Sequence, residues 1–293
     1  MRFGVWTSGT APVPAVIAAM KEAGLELGHI LVCDDARIEP IRLHHKDTQV
    51  FDEQTRLPNL LLAHPVDCVV LLSFPHILPA ELVQQQLFLN CHNALLPRHR
   101  GMHAFTWAII QGDTKVGYTL HRVEGAIDAG PILAQCSIDV EPDDTINEVF
   151  LKGGQLLPLW IPEVLKAYRS GRLSFLPQDE AHATRGRRRT PLDGLIDWNQ
   201  PARSAHNFIR AQAPPYAPGA FTRCASGEVI LALSECEPMT SSGTCPGTIV
   251  GSLAEGGFLV QCRDHPIHIK KAWSPNDQGH QLHFHGAPGL IFL

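Results

Sequence analysis

The chain lacks the marks of several protein classes. No stretch of its 293 residues reaches the roughly 18 consecutive apolar residues of a membrane helix. The opening, MRFGVWTSGT, has no long apolar run and does not read as a signal peptide. The eight cysteines are scattered with no CxxC pair, so reduced thiols in a cytoplasmic protein are expected. A basic excess is missing: 24 Lys and Arg against 29 Asp and Glu give a net charge of −5, which argues against a nucleic-acid surface. Three tyrosines leave no basic-aromatic strand face on which bases could stack. The first turn, Ser8-Gly9-Thr10, lacks the Gly-rich phosphate fingerprint, which argues against a dinucleotide there. The paired His44-His45 has no third or fourth ligand at zinc spacing, so no metal is expected. What is left, at 44% hydrophobic and 18% charged residues, is an ordinary globular composition, long enough for one large domain or two modest ones.

The chain opens on a β-α-β pattern. Arg2 to Trp6 reads as a strand and Ala11 to Ala23 as a helix, with Pro12 and Pro14 near its start and Gly24 as its stop. His29 to Cys33 is a second strand, and a parallel, doubly wound α/β sheet follows from this order. Asp34 to Leu62 is polar and ambiguous, with a solvated loop around His44 to Asp47. Asp67 to Leu72 is the unbroken apolar run of a buried parallel strand, and the Ser73 to Leu78 turn after it lies where such sheets hold ligands. Gln135 to Glu141 is a further strand. Pro142 to Thr145 then caps a long helix through Tyr168, weakened at Gly153 and Gly154. Gln178 to Pro191 reads as a linker whose basic run, Arg185 to Arg189, is solvent-exposed charge sooner than a site for tRNA or a nucleotide phosphate. A helix over Ala202 to Ala211 and short strands near 229–233, 247–250, 258–261 and 267–270 complete the chain. The expected division is a catalytic domain over 1–180, a linker over 181–203 and a C-terminal domain over 204–293. His280, His283 and His285 fit an edge or dimer contact better than a metal tract.

Chemistry concentrates between Phe88 and Leu133. Asn90 and His92 form an Asn-x-His pair on one face of a strand, while Cys91 between them points the other way. A basic turn, Arg98 to Gly101, follows; Arg98 and Arg100 suit either a phosphate or a solvated turn. A short helix over Phe105 to Ile110 and a strand over Val116 to His121 lead to a polar loop that holds Asp128. Strand, helix and strand would bring two strand ends, and with them Asn90, His92 and Asp128, to one edge of the sheet. An amide donor, an imidazole and a carboxylate suit acyl transfer to an amine. Asn90 would donate to the oxyanion, His92 share its charge or move a proton, and Asp128 orient the imidazole or take the amine's proton through water. No serine or cysteine nucleophile is required, because the amine attacks directly.

NCHNALLPRHRG, GDTKVGYTLHRV and DAGPIL, in this order, resemble the three signatures of the folate-dependent formyltransferases. The resemblance continues through RTPLDGLIDW and HNFIRA to the C-terminus, closest to the sugar-nucleotide enzymes and, beyond them, to methionyl-tRNA formyltransferase. It implies a Rossmann-like catalytic domain with a mostly parallel sheet, a small OB-like β-barrel, and 10-formyltetrahydrofolate as formyl donor. It places the catalytic trio on Asn90, His92 and Asp128. It assigns the folate head to His76, Ile77 and Leu78, with a second contribution from the loop Glu124, Gly125, Ala126, Ile127 and Asp128. Two positions depart from the pattern: Ala94 stands where a serine is usual, and Met102 where the aminoarabinose-type enzymes carry arginine.

The acceptor implied is a small-molecule amine, first of all a nucleotide-linked amino sugar. Another small amine, methionyl-tRNA, or water in a hydrolase remain open, as does a homodimer. A non-catalytic folate sensor or a nucleic-acid module are the readings from another class; the intact trio argues against the first and the acidity against the second.

Overall fold

The computed structural model describes every residue except 11, 34–36, 45–48, 52–56, 216–218, 226, 236–242, 255, 276–280, 284–286 and 293. His45, Lys46, Asp47, His280 and His285 therefore lie outside the described residues. The chain forms two compact units: Met1–Gly101, Val116–Ile138 and Leu151–Gly186 in the first, Met102–Lys115, Asp139–Phe150 and Arg187–Leu293 in the second.

The first unit is built on a seven-stranded sheet. Its strands are β1 (Arg2–Thr7), β2 (Glu26–Val32), β3 (Gln49–Phe51), β4 (Cys68–Leu72), β5 (Phe88–His92), β7 (Lys115–Arg122) and β8 (Ile132–Asp139), in the order β3-β2-β1-β4-β5-β7-β8. A two-residue strand, β6 (Arg100–Gly101), stands apart from it. The pairs β1 to β5 make with one another are parallel, and β7 turns antiparallel to β5. The strand order reverses at β1, with β2 and β3 on one side and β4 and β5 on the other, which is the doubly wound arrangement expected from the β-α-β opening. Helix α1 (Val13–Glu22) makes the first crossover, and Gly24, at φ 70°, ends it as expected. The segment read as ambiguous and loop-like carries α2 (Ile38–His44), β3 and α3 (Leu57–Ala63). Strand β4 is buried throughout, as its unbroken apolar run requires. Helix α4 (Ala80–Gln85) follows it. Trp6, Val69, Leu71 and Phe88 centre one core cluster, on which Leu78 and Val123 also pack.

Helix α6 (Ile146–Arg169) begins at Thr145, whose Oγ1 accepts from the Asn147 N–H while Glu148 accepts from the Thr145 N–H, a reciprocal cap. Gly153 in this helix is explained by close approach: a Cβ there would stand 2.5 Å from the hydroxyl of Tyr118.

The second unit holds α5 (Ala104–Ile110), α7 (Ala202–Arg210) and a six-stranded antiparallel sheet. Strands β10 (Ala220–Cys224), β11 (Gly227–Glu235), β14 (Pro266–Pro275), β13 (Phe258–Gln261) and β12 (Ile249–Ser252) lie in that order, and β15 (Gln281–His283) pairs with β14. Ala205 and Ile209 of α7 face a core of Trp198, Val229, Leu231, Ile249, Val260, Ile267 and Ile269. Trp198 donates its indole N–H to Thr222 Oγ1 at 3.0 Å and stacks on Phe292. Among the described residues no helix is long and apolar enough to cross a membrane, and no group of three His, Cys, Asp or Glu could hold a metal ion.

Candidate active site

Alternation along β5 places Asn90 and His92 on one face. The antiparallel register sets His121 of β7 directly opposite Asn90 and Thr119 opposite His92. Two polar side chains on each strand thus share one face of the sheet. The expectation that two strand ends meet at one edge is corrected here. Because β7 runs antiparallel to β5, its end lies level with the start of β5, where the Val123 N–H donates to the Phe88 carbonyl. The loop 123–131 instead folds back, and Asp128 reaches the polar face from it.

Asp128 is where these groups converge. Its Oδ1 accepts from Asn90 Nδ2 at 3.3 Å and lies 3.5 Å from His121 Nε2. Its Oδ2 accepts the Gly101 N–H at 2.8 Å and lies 3.7 Å from His92 Nδ1. Asn90 Nδ2 also lies 3.3 Å from His121 Nε2. Each imidazole is oriented by a carbonyl: His92 Nε2 donates to His99 O at 3.0 Å, and His121 Nδ1 donates to Arg122 O at 2.9 Å. The ring nitrogens left over, His92 Nδ1 and His121 Nε2, are the ones turned to the carboxylate. His121 was missed as a site residue in the sequence, where it read as the last residue of a strand.

Burial works against charge on both central groups, and the outcome differs. At Asp128 burial would raise the pKa, but the hydrogen bond with His121, the electrostatic influence of His92 and the Gly101 N–H bring it down to about 2. At His92 burial dominates and lowers the pKa, against the pull of Asp128 and of the His99 carbonyl. Near neutral pH the site therefore pairs an ionised carboxylate with a neutral His92. Asp128 holds a left-handed backbone, φ 55°, which an aspartate tolerates better than most residues. His99, at φ 57°, aims its carbonyl at His92 from the same conformation.

In the basic turn Arg98 is exposed, whereas Arg100 is neither solvated nor open to a phosphate. The Arg100 side chain is 6% exposed. It gives Nε and Nη2 to Gln178 Oε1 at 3.1 and 2.8 Å, and Nη1 and Nη2 to Glu180 at 2.9 and 2.7 Å. Strand β6 pairs with β9 (Arg185–Gly186), in the stretch read as a linker. Within the basic run, Arg187 bonds Asp193, and Arg187 and Arg189 both lie over the Trp107 ring, at 5.6 and 5.0 Å. Arg189 also donates to Gln212 Oε1. Arg185, Arg187 and Arg188 are exposed as expected, though Arg187 is also partnered, and Arg189 is half-buried.

The residues expected at the folate head stand on the loop after β4. His76 and Ile77 are exposed, Ile77 at 84%, while Leu78 is half-buried against the core. Glu124, Gly125, Ala126 and Ile127 form the exposed outer part of the loop that carries Asp128. Ala94 is buried, and its carbonyl accepts from Thr119 Oγ1 at 2.6 Å.

Residues 29–165 match the model of the formyl transferase domain, and residues 189–278 that of the formyl transferase C-terminal domain. The chain belongs to the formyl transferase family. Solved structures share the fold at low identity. HypX from Aquifex aeolicus, in complex with tetrahydrofolic acid, superposes with a TM-score of 0.63 at 18% identity, over 97% of this chain and 46% of that one. The chain thus spans about half the length of the HypX protein it matches. The N-formyltransferase from Helicobacter canadensis, in complex with folinic acid and dTDP-3-aminofucose, gives 0.69 at 14% identity over 92% and 98% of the two chains. Methionyl-tRNA formyltransferase from Clostridium thermocellum gives 0.61 at 17% identity over 81% and 94%.

Proposed function

We propose that this protein transfers the formyl group of 10-formyltetrahydrofolate to the amine of a small molecule, first of all a nucleotide-linked amino sugar, with Asn90, His92 and Asp128 as its catalytic residues. The observation that carries the reading is the ionised Asp128 carboxylate held within reach of Asn90, His92 and Gly101 in a chain of this family.

The bound folate supplies an activated formyl carbon. Asn90 Nδ2 donates to the formyl oxygen as negative charge grows on it; its two contacts in the structure are long, 3.3 Å each, and exchange at little cost. His92, neutral and fixed by the His99 carbonyl, presents Nδ1 to the same charge or to a moving proton. Asp128 accepts the amine's proton, directly or through a water, as the new C–N bond forms; the donor's formyl C–N bond then breaks and tetrahydrofolate leaves with a proton on that nitrogen. The loop after β4 fits the folate head: among the described residues the main-chain groups of Ile77 and Leu78 have no hydrogen-bond partner, so they are available to a planar ring with donors and acceptors on its edge. His76 and the outer loop Glu124 to Ile127 are the further residues assigned to folate in this reading. Support for the acceptor class comes from the Helicobacter canadensis enzyme, crystallised with a nucleotide-linked amino sugar and matched over nearly its full length. The net charge of −5 disfavours tRNA.

The test is a panel. Purified protein and 10-formyltetrahydrofolate are offered dTDP-3-aminofucose, other amino-sugar nucleotides, small free amines and initiator methionyl-tRNA, with tetrahydrofolate release and acceptor mass followed together. A formyl mass gain on a sugar nucleotide is expected. A gain on the tRNA alone, or folate turnover without any acceptor, would overturn the acceptor assignment.

A further inference from the structure

The segment from Gln178 to Gly186 has no part in the chemistry above, yet it is bonded to both sides of Asp128. Gln178 Nε2 donates to the Asp128 carbonyl at 2.8 Å and to the Gly130 carbonyl at 2.7 Å. Its Oε1 takes two N–H groups from Arg100. We propose that Gln178 is a positioning residue for Asp128, with Arg100 setting the direction of its amide; the inference rests on the catalytic role given to Asp128 above.

The direction of the amide follows from valence. A guanidinium has donors and no acceptor, so the amide oxygen must face Arg100. Both amide hydrogens then point the opposite way, where two carbonyls wait. Those carbonyls belong to residues two apart, on either side of a turn whose first member is left-handed, φ 55° at Asp128. One donor group spanning them fixes the turn; without it, two like dipoles converge with no positive group between them.

The loop also has little slack. A Cβ at Gly130 would stand 2.0 Å from the Arg122 carbonyl oxygen, so the backbone there is already in close contact with β7. Arg100 is in turn held by Glu180, and Gly101, the next residue, gives its N–H to Asp128 Oδ2. Thr184 Oγ1 accepts the His99 N–H at 2.9 Å, and the Thr184 carbonyl accepts that of Arg100 at 2.9 Å. Arg185 Nη2 reaches the Ile127 carbonyl at 3.4 Å. One short segment therefore ties the turn that orients His92 to the loop that carries Asp128. A loosened carboxylate, misplaced by about 1 Å, costs on the order of a hundredfold in rate.

Two variants separate this role from packing. Gln178→Met removes the amide without adding charge, and Gln178→Glu keeps a partner for Arg100 but offers no N–H to the two carbonyls. His92 is followed by NMR titration of the histidine-labelled protein, tetrahydrofolate binding by fluorescence, and formyl transfer with the acceptor identified by the panel. Asp128 raises the His92 pKa, so a displaced carboxylate lets His92 titrate at lower pH. Gln178→Met is expected to stay folded, to bind tetrahydrofolate within about threefold of wild type, and to titrate His92 measurably lower. Both variants are expected to lose roughly 30- to 100-fold in kcat. A folded Gln178→Met whose His92 titrates as in wild type, or a Gln178→Glu with wild-type kcat, overturns the proposal. Should Gln178→Met fail to fold, Gln178→Glu alone decides through kcat and the folate affinity. If Asp128→Asn transfers formyl as wild type does, the catalytic reading fails instead, and the His92 titration still reports on the clasp.

Discussion

Replacing Asp128 by Asn separates charge from shape. Asparagine tolerates the left-handed backbone, so the φ 55° turn is kept. With its amide oxygen toward Gly101 the variant also keeps that hydrogen bond, 2.8 Å in the native protein, but its NH2 then faces Asn90 Nδ2, donor against donor. The native carboxyl has its pKa lowered from 3.8 to about 2, which corresponds to about 2 kcal/mol of native-state preference for the ionised form. Because the folded pKa lies below the unfolded one, this stability is present above about pH 4 and is lost as pH falls toward about 2. The variant has no such window. It should be about 2 kcal/mol less stable than wild type at pH 7, with the gap closing near pH 2. Urea unfolding at pH 7, 4 and 2.5, read by the fluorescence of the five tryptophans, measures this. Formyl transfer at pH 7 should fall by about 10²- to 10⁴-fold, the range for a lost proton acceptor. A stability gap of the same size at pH 7 and pH 2.5 would refute the electrostatic reasoning, and transfer within threefold of wild type would refute the catalytic role.

Three further predictions follow from the packing. His29 is fully buried, accepts the Trp6 indole N–H at 2.9 Å, and has its pKa lowered to about 4, because burial outweighs the bond to the His64 carbonyl. Its neutral form stabilises the fold above about pH 6.5, and about 3 kcal/mol is lost as pH falls to 4; His29→Gln should flatten the unfolding free energy across that interval. Gly130→Ala puts a methyl group 2.0 Å from the Arg122 carbonyl oxygen and should cost about 3 kcal/mol, seen as a clear fall in Tm, with an unchanged Tm contradicting the close approach. Trp198→Phe leaves Thr222 Oγ1 without its buried donor and should destabilise by about 1–3 kcal/mol in chemical denaturation.

Local patterns made part of this protein legible. The apolar run of β4 and the Pro-rich start and Gly stop of α1 carry their own structural signals, and both stand where they were expected. Asn90 and His92 were visible as a polar pair two residues apart, the spacing of one strand face. Thr119 and His121 repeat that spacing in β7, and the register sets one pair against the other. An alternating polar pair in each of two neighbouring apolar strands was the signal that could have found His121. It needed the antiparallel pairing of β5 with β7, which neither strand's own periodicity contains. Arg100 and Gln178 offered less. Their bond joins residues 78 apart, through a stretch with no apolar period, and a basic turn looks the same in sequence whether solvent or Glu180 satisfies it. The same limit applies to the two units. Residues 102–115 and 139–150 group with the chain beyond Arg187 through contacts such as those of Arg189 with Trp107 and of Arg210 with the carbonyls of Glu141 and Asp144. A buried arginine that satisfies distant carbonyls leaves no periodic trace, so its partners have to be found in space. The same holds for the Gln178 clasp, whose three partners are scattered across residues 100 to 130.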